Sequence, residues 1–131
     1  MTRRFYSNGK LLLTGEYAVL DGALSFALPD KLGQTLTISE ADSAYLNWTS
    51  LDEKGEKWFH TSLHLDLFRN AQEGGSYELK NLPASEDKVS EMLLRILLEA
   101  KRLNPDFLKE EIGYEVQTAL SFPREWGLGS S

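Results

Sequence analysis

Cysteine is absent from the 131-residue sequence, which excludes disulfide bonds and thiolate metal sites and is typical of a cytoplasmic protein. No apolar run comes near the roughly 18 residues that a membrane-spanning helix needs. Basic residues are outnumbered by acidic ones, 14 to 20, and the net charge of −6 disfavours binding to nucleic acid or to an anionic membrane. The sequence therefore predicts a cytoplasmic protein that binds neither.

The composition that remains is that of a folded globular protein. Hydrophobic residues make up 41% of the sequence and charged residues 26%, so the chain is too apolar to be disordered. Its length suits one hydrophobic core, and we expect one domain or part of one.

Several short segments have the pattern of β-strands. Alternating or short apolar runs bounded by turn residues predict strands at 10–14, 23–28, 34–39, 45–49, 57–65 and 113–120. We expect the first of these to be buried. The polar residues 52–55 between two strands predict an antiparallel hairpin. Residues 66–82 have no persistent period and are predicted to be a loop that can contain short elements.

One long helix is predicted over residues 85–103. Ser85 has the side chain of an N-cap, and Asn104 and Pro105 end the helix. Its predicted core stripe consists of Val89, Met92, Leu93, Ile96, Leu97, Ala100 and Leu103. The predicted fold class is thus α+β, a mixed and mainly antiparallel sheet with one long packed helix.

The last residues form a glycine-rich turn that ends in two hydroxyls. Residues 123–131 read Pro-Arg-Glu-Trp-Gly-Leu-Gly-Ser-Ser and directly follow the last predicted strand. Glycines let a backbone approach a phosphate closely, and the amides of a following helix then point at it. Since no helix follows here, we expect the chain to be the N-terminal part of a longer enzyme. A flexible Gly/Ser tail is the alternative, which Pro123 and Trp126 disfavour.

A second motif lies near the start of the chain. Residues 8–22 contain Asn8-Gly9-Lys10 and Gly15-Glu16-Tyr17, and they resemble the opening motif of the GHMP kinases, usually Pro-Gly-Lys followed by Gly-Glu-His or Gly-Glu-Tyr. The C-terminal turn is similar to the ATP-binding motif of the same superfamily, which includes galactokinase, homoserine, mevalonate and phosphomevalonate kinases. Asn8 replaces the usual proline. Tyr17 is closer to phosphomevalonate kinases, and the opening also resembles a bacterial group called GYDIA.

The resemblance implies a fold, a reaction and a set of site residues. The fold is that of the N-terminal, ribosomal protein S5 domain 2-like domain of these kinases. Residues 1–131 would be an incomplete N-terminal part, with the C-terminal domain and the catalytic base absent. The reaction is transfer of the ATP γ-phosphoryl group, with Mg²⁺, to a hydroxyl or phosphate of a small metabolite. The implied roles are catalysis for Lys10, substrate binding for Lys10, Glu16 and Tyr17, ATP binding for Pro123, Gly127, Leu128, Gly129, Ser130 and Ser131, and metal binding for Ser131.

Each of these residues also has a simpler interpretation. A lysine beside a turn at the start of a strand is normally solvated, Glu16 would be solvated at its turn, and Tyr17 would pack in the core. His60 and His64 lie on a predicted strand, about 13 Å apart, and are better interpreted as surface residues than as metal ligands.

The competing hypothesis is a non-catalytic module with a degenerate phosphate loop, which dimerises or binds a protein through its exposed sheet or aromatic residues. On the kinase hypothesis the chain alone should be inactive, and a homodimer is a further expectation.

Overall fold

The computed structural model describes residues 1–69, 88–109 and 112–129. The described elements are five strands, two α-helices and two 3₁₀ turns. The strands are β1 (Thr2–Thr14), β2 (Phe26–Ala41), β3 (Tyr45–Leu51), β4 (Lys57–His64) and β5 (Gly113–Leu120). The helices are α1 (Asp66–Arg69) and α2 (Lys88–Leu103), and the 3₁₀ turns are Ala18–Asp21 and Arg124–Trp126. The predicted α+β class is confirmed.

The strands form one mixed sheet in the order β1-β2-β5-β3-β4. β1 and β2 are antiparallel. β3 and β4 form the predicted hairpin, because Asn47 bonds to Ser62 and Thr49 to His60. β3 and β5 are parallel, since side-chain pairs between them share one sequence offset of 68.

The first two strands are longer and more exposed than the sequence predicts. The predicted strand 34–39 and the last three residues of the predicted strand 23–28 fall within one strand, β2, which accommodates Pro29 where its register with β1 shifts. β1 begins well before residue 10, so Lys10 lies inside a strand rather than at its start. Leu11 and Leu13 are exposed. The expectation that this segment is buried is therefore wrong, because β1 is an edge strand with little packed on it.

Helix α2 confirms the predicted helix but buries a different face. Its buried residues are Ser90, Leu94, Leu97, Leu98 and Lys101. Of the predicted core stripe, Leu97 is buried, whereas Val89, Met92, Ile96 and Leu103 are exposed. The error arises because apolar residues surround most of this helix, so more than one stripe fits its sequence. Ser85 lies outside the described residues.

Lys101 is buried on that face in the last turn of the helix. Its Nζ donates to the carbonyl oxygens of Pro105 at 2.8 Å and Phe107 at 2.6 Å. Both carbonyls lie in the segment that follows the helix, so the buried ammonium is hydrogen-bonded and joins the last helical turn to that segment. Asn104 and Pro105 follow the helix as predicted.

The described chain divides into two compact units. The first comprises Met1–Ser39, Trp48–His60 and Val116–Ser131, and the second comprises Glu40–Asn47 and Thr61–Glu115. The first unit contains Lys10 and the glycine-rich turn, and the second contains both α-helices. Among the helices that the structure describes, none is both long and apolar enough to cross a bilayer.

Candidate functional site

The glycine-rich turn after β5 has a defined backbone geometry over residues 123–129. Pro123 has φ −59° and ψ 137°, which leads the chain into the 3₁₀ turn Arg124–Trp126. Trp126 donates its backbone N–H to the carbonyl of Pro123 at 3.1 Å. Gly127 then has φ 68° and Gly129 has φ 85°, values in the left-handed region that glycine adopts without steric cost. We call residues 123–129 the Gly loop.

Leu128 fixes the Gly loop to the body of the first unit. Its side chain is buried in a cluster with Leu120 and Phe122, against which Leu32 of β2 packs. Burying a leucine side chain contributes roughly 1.5–3 kcal/mol to stability. The side chain of Leu128 therefore anchors the Gly loop.

The structure brings Lys10 and the Gly loop together from opposite ends of the sequence. The backbone N–H of Lys10 donates to the carbonyl oxygen of Leu128 at 3.1 Å. A Cβ atom placed on Gly129 would lie 3.9 Å from Cγ of Lys10. Two residues nominated separately from two motifs are thus neighbours.

Gly9 makes this approach sterically feasible. A Cβ atom on Gly9 would lie 3.1 Å from the carbonyl oxygen of Leu128 and 3.2 Å from its Cβ, closer than most real contacts. The same Cβ atom would lie 3.2 Å from the carbonyl oxygen of Leu32. A side chain at this position would push the Gly loop away from β1.

The polar groups at this junction are free to bind an anion. Within the described chain, the backbone N–H groups of Gly127, Leu128 and Gly129 make no hydrogen bond, and the ammonium of Lys10 has no ion-pair partner. A Cβ atom added to Gly127 would have no atom of the described chain within 4 Å, apart from its chain neighbours. The structure thus places three adjacent backbone donors near the lysine that the opening motif nominated.

The start of the Gly loop contacts the β3–β4 hairpin. The guanidinium carbon of Arg124 lies 3.6 Å from the centroid of the Trp58 ring. This is a cation–π contact, worth about 0.5–1 kcal/mol when exposed. Trp58 also packs at a tilt against Phe59, with ring centroids 5.7 Å apart.

Glu16 and Tyr17 lie at the far end of β1. The N–H of Ala18 donates to the carbonyl of Glu16 at 2.7 Å, which centres a tight three-residue turn on Tyr17 with φ 61° and ψ −47°. Such a conformation is strained for a residue with a side chain. Tyr17 is 79% exposed, so the alternative that it packs in the core is wrong. No hydrogen bond or ion pair in the described chain joins these two residues to Lys10 or the Gly loop.

The remaining predicted site residues are Ser130 and Ser131, which lie outside the described residues.

The two histidines have separate surroundings. His60 pairs with Thr49 at 3.0 Å, and His64 packs edge-on against Tyr45. Among the described residues, no cluster of three or more histidine or acidic side chains could hold a metal ion.

Sequence reasoning missed the contributions of Gly9, Trp58 and Arg124. Gly9 stands in the opening motif, so the resemblance carried a signal for it. Trp58 and Arg124 belong to no motif, and their contact arises from the packing of two distant segments.

Comparison with solved structures identifies the fold. The Methanococcus jannaschii mevalonate kinase matches 99% of this chain with a TM-score of 0.59 at 20% sequence identity. A second mevalonate kinase structure matches 98% of the chain with a TM-score of 0.56, also at 20% identity. The chain has the fold of the N-terminal domain of mevalonate kinase. It spans about a third of the length of these enzymes, 36% and 35%.

The likeness at this identity concerns the fold alone. Neither the protein-family models nor the curated proteins contain a match to the sequence.

Proposed function

We propose that this chain is the N-terminal, ATP-binding part of a GHMP-type kinase. The proposed reaction transfers the γ-phosphoryl group of ATP, with Mg²⁺, to a hydroxyl or phosphate of a small metabolite. The contact between Lys10 and the Gly loop carries this proposal, because it brings a free ammonium and free backbone donors to one place.

The residues at this junction fit a nucleotide phosphate. Left-handed glycines at 127 and 129 leave the backbone accessible, and the N–H groups of 127–129 would donate to phosphate oxygens. The ammonium of Lys10 would stabilise negative charge that develops on the transferring group or on the acceptor. Bound Mg²⁺ would neutralise phosphate charge, and Ser131 is the residue proposed to hold it.

The acceptor would bind along the exposed face of β1. Glu16 and Tyr17 are exposed beyond the end of β1, and Thr14 lies four residue steps, about 13 Å, along the strand from Lys10. We propose mevalonate, phosphomevalonate or a sugar as the acceptor class, in keeping with the fold match. An affiliation with the GYDIA group rests on the opening motif alone.

The rest of the active site is proposed to lie outside these residues. The chain spans about a third of the mevalonate kinases that it matches. On that basis we assign residues 1–131 to the N-terminal domain, assign the catalytic base to a C-terminal domain, and expect the 131 residues alone to be inactive. The absence of cysteine favours a cytoplasmic enzyme.

One observation favours the alternative of a protein-interaction module. Edge strand β1 and the residues that follow it expose large apolar side chains, including Leu20 at 83% and Leu24 at 97% exposure. A long edge strand with free backbone groups can pair with another chain. A homodimer formed through β1 is the simplest such assembly.

Substitution of Lys10 tests the kinase proposal. The natural full-length protein is assayed for transfer from radiolabelled ATP to mevalonate, phosphomevalonate and galactose. We expect Lys10→Met to lower kcat by about 10²- to 10³-fold, as loss of a charge-stabilising donor does. The melting temperature should stay unchanged, because the side chain is exposed and makes no described polar contact.

The matched control is Lys54→Met, which removes an exposed lysine from the turn between β3 and β4. Its activity should equal that of the natural protein. If Lys10→Met were as active as Lys54→Met and the natural protein, Lys10 would have no part in the mechanism. If the natural protein transferred phosphate to none of the acceptors, the interaction module would be favoured.

A further inference from the structure

A cation–π contact marks the start of the Gly loop. Arg124 is the first residue of the 3₁₀ turn that leads into Gly127, and its guanidinium carbon lies 3.6 Å from the centre of the Trp58 ring. Tryptophan has the aromatic face that attracts a cation most strongly. The contact joins the turn after β5 to the first residues of β4.

Trp58 has an unusual environment for its indole nitrogen. The Nε1 atom is buried, and it makes no hydrogen bond in the described chain. A buried N–H without an acceptor is unfavourable, and most buried tryptophans avoid it. A phenylalanine would fill similar space without that cost. The advantage of tryptophan over phenylalanine at this position is therefore the stronger attraction of its ring face for the guanidinium of Arg124.

The Gly loop is held on both sides of its open glycine. Arg124 fixes the entry on Trp58, and Leu128 fixes the exit in its buried cluster and through the bond to Lys10. Gly127 lies between these two anchors with open space around it. A loop held at both ends loses less conformational entropy when it binds a ligand than a loop held at one end.

We propose that Arg124 is a positioning residue that pre-organises the Gly loop for phosphate by stacking on Trp58. The inference rests on the proposed function in that the ligand is the triphosphate of a nucleotide. Arg124 acts through the backbone of 127–129 and makes no contact with the phosphate. Its removal therefore weakens binding without changing the chemical step.

The first test measures nucleotide affinity in the natural full-length protein. The dissociation constant of the magnesium complex of a non-hydrolysable ATP analogue is measured by calorimetry for Arg124→Gln, Trp58→Leu and the double variant. Each single variant should bind two- to fivefold more weakly, the equivalent of about 0.5–1 kcal/mol for an exposed cation–π pair. The double variant should bind no more weakly than either single variant, because both remove the same contact.

Two further variants are controls for charge and packing. Arg95→Gln removes an exposed arginine that pairs with Glu91 on α2 and should leave the affinity unchanged. Trp58→Phe retains an aromatic face and should have an affinity between those of the natural protein and Trp58→Leu. If Trp58→Leu does not fold, Arg124→Gln and Trp58→Phe still make the comparison.

The second test needs no nucleotide. Hydrogen exchange of the backbone amides of Trp126 and Lys10, which donate to the carbonyls of Pro123 and Leu128, should be faster in Arg124→Gln than in the natural protein, while exchange in α2 stays the same. Unchanged exchange together with unchanged affinity would overturn the positioning role. Faster exchange in a protein that binds no nucleotide would support the loop contact and overturn the proposed function, so the two failures are distinguishable.

Discussion

Gly9 is the residue on which the junction between β1 and the Gly loop depends. The carbonyl and Cβ of Leu128 both lie where a side chain on Gly9 would be, and the neighbouring Lys10 bonds to that same carbonyl. Gly9 therefore permits this close packing because it has no side chain.

Replacing Gly9 by alanine should separate the two segments. The added methyl group would overpack against Leu128 and Leu32, and we expect a loss of about 1–3 kcal/mol in unfolding free energy. The backbone amide of Lys10 should also exchange faster with solvent, because its bond to Leu128 would lengthen. Urea denaturation and amide exchange measure the two effects.

Ser7→Ala is the matched control for this substitution, since Ser7 is exposed on the same strand. It should change neither quantity. Should Gly9→Ala leave stability and the protection of Lys10 intact, the close packing of the Gly loop on β1 would be refuted.

At the scale of elements, the face of α2 that is buried differs from the face that its hydrophobic pattern predicts. Leu94 is 4% exposed and Ile96 is 60% exposed, although the sequence pattern assigned Ile96 to the core. The buried side includes Lys101, whose ammonium donates hydrogen bonds to two carbonyl oxygens beyond the helix. Hydrophobicity alone cannot indicate that a lysine lies on the buried face.

Two alanine substitutions in α2 test this assignment. Leu94→Ala should lower the unfolding free energy by about 2–5 kcal/mol, because it leaves a cavity in a packed core. Ile96→Ala should change it by less than about 0.5 kcal/mol, since the side chain is exposed and alanine favours the helix. Urea denaturation measures both changes. If Ile96→Ala lowered the unfolding free energy as much as Leu94→Ala, the face of α2 that the sequence predicted to be buried would be the correct one.

The strands show the same limit of prediction from sequence. β5 and the β3–β4 hairpin follow from alternating residues and turn signals, since each has one buried and one exposed face. β1 was predicted to be buried because its run of leucines is apolar, yet Leu11 and Leu13 are exposed. Burial depends on what packs against a strand, and local sequence contains no information about it.

At the scale of the whole molecule, the site could be predicted in part. The two motifs nominated Lys10 and the Gly loop, but only the antiparallel pairing of β1 with β2 and the placement of β5 bring them together. The contact of Arg124 with Trp58 could not be predicted, because its two members are distant in sequence and belong to no motif. The fold match covers nearly the whole chain, yet about a third of a mevalonate kinase.

We propose that the Gly loop and Lys10 bind the phosphates of ATP. The most direct measurement is hydrogen exchange of the natural full-length protein with and without millimolar MgATP. We predict that the amides of residues 127–129 become protected in a saturable manner, because they would donate to phosphate oxygens, while those of β4 are unaffected. No change at residues 127–129 under saturating MgATP would contradict the claim.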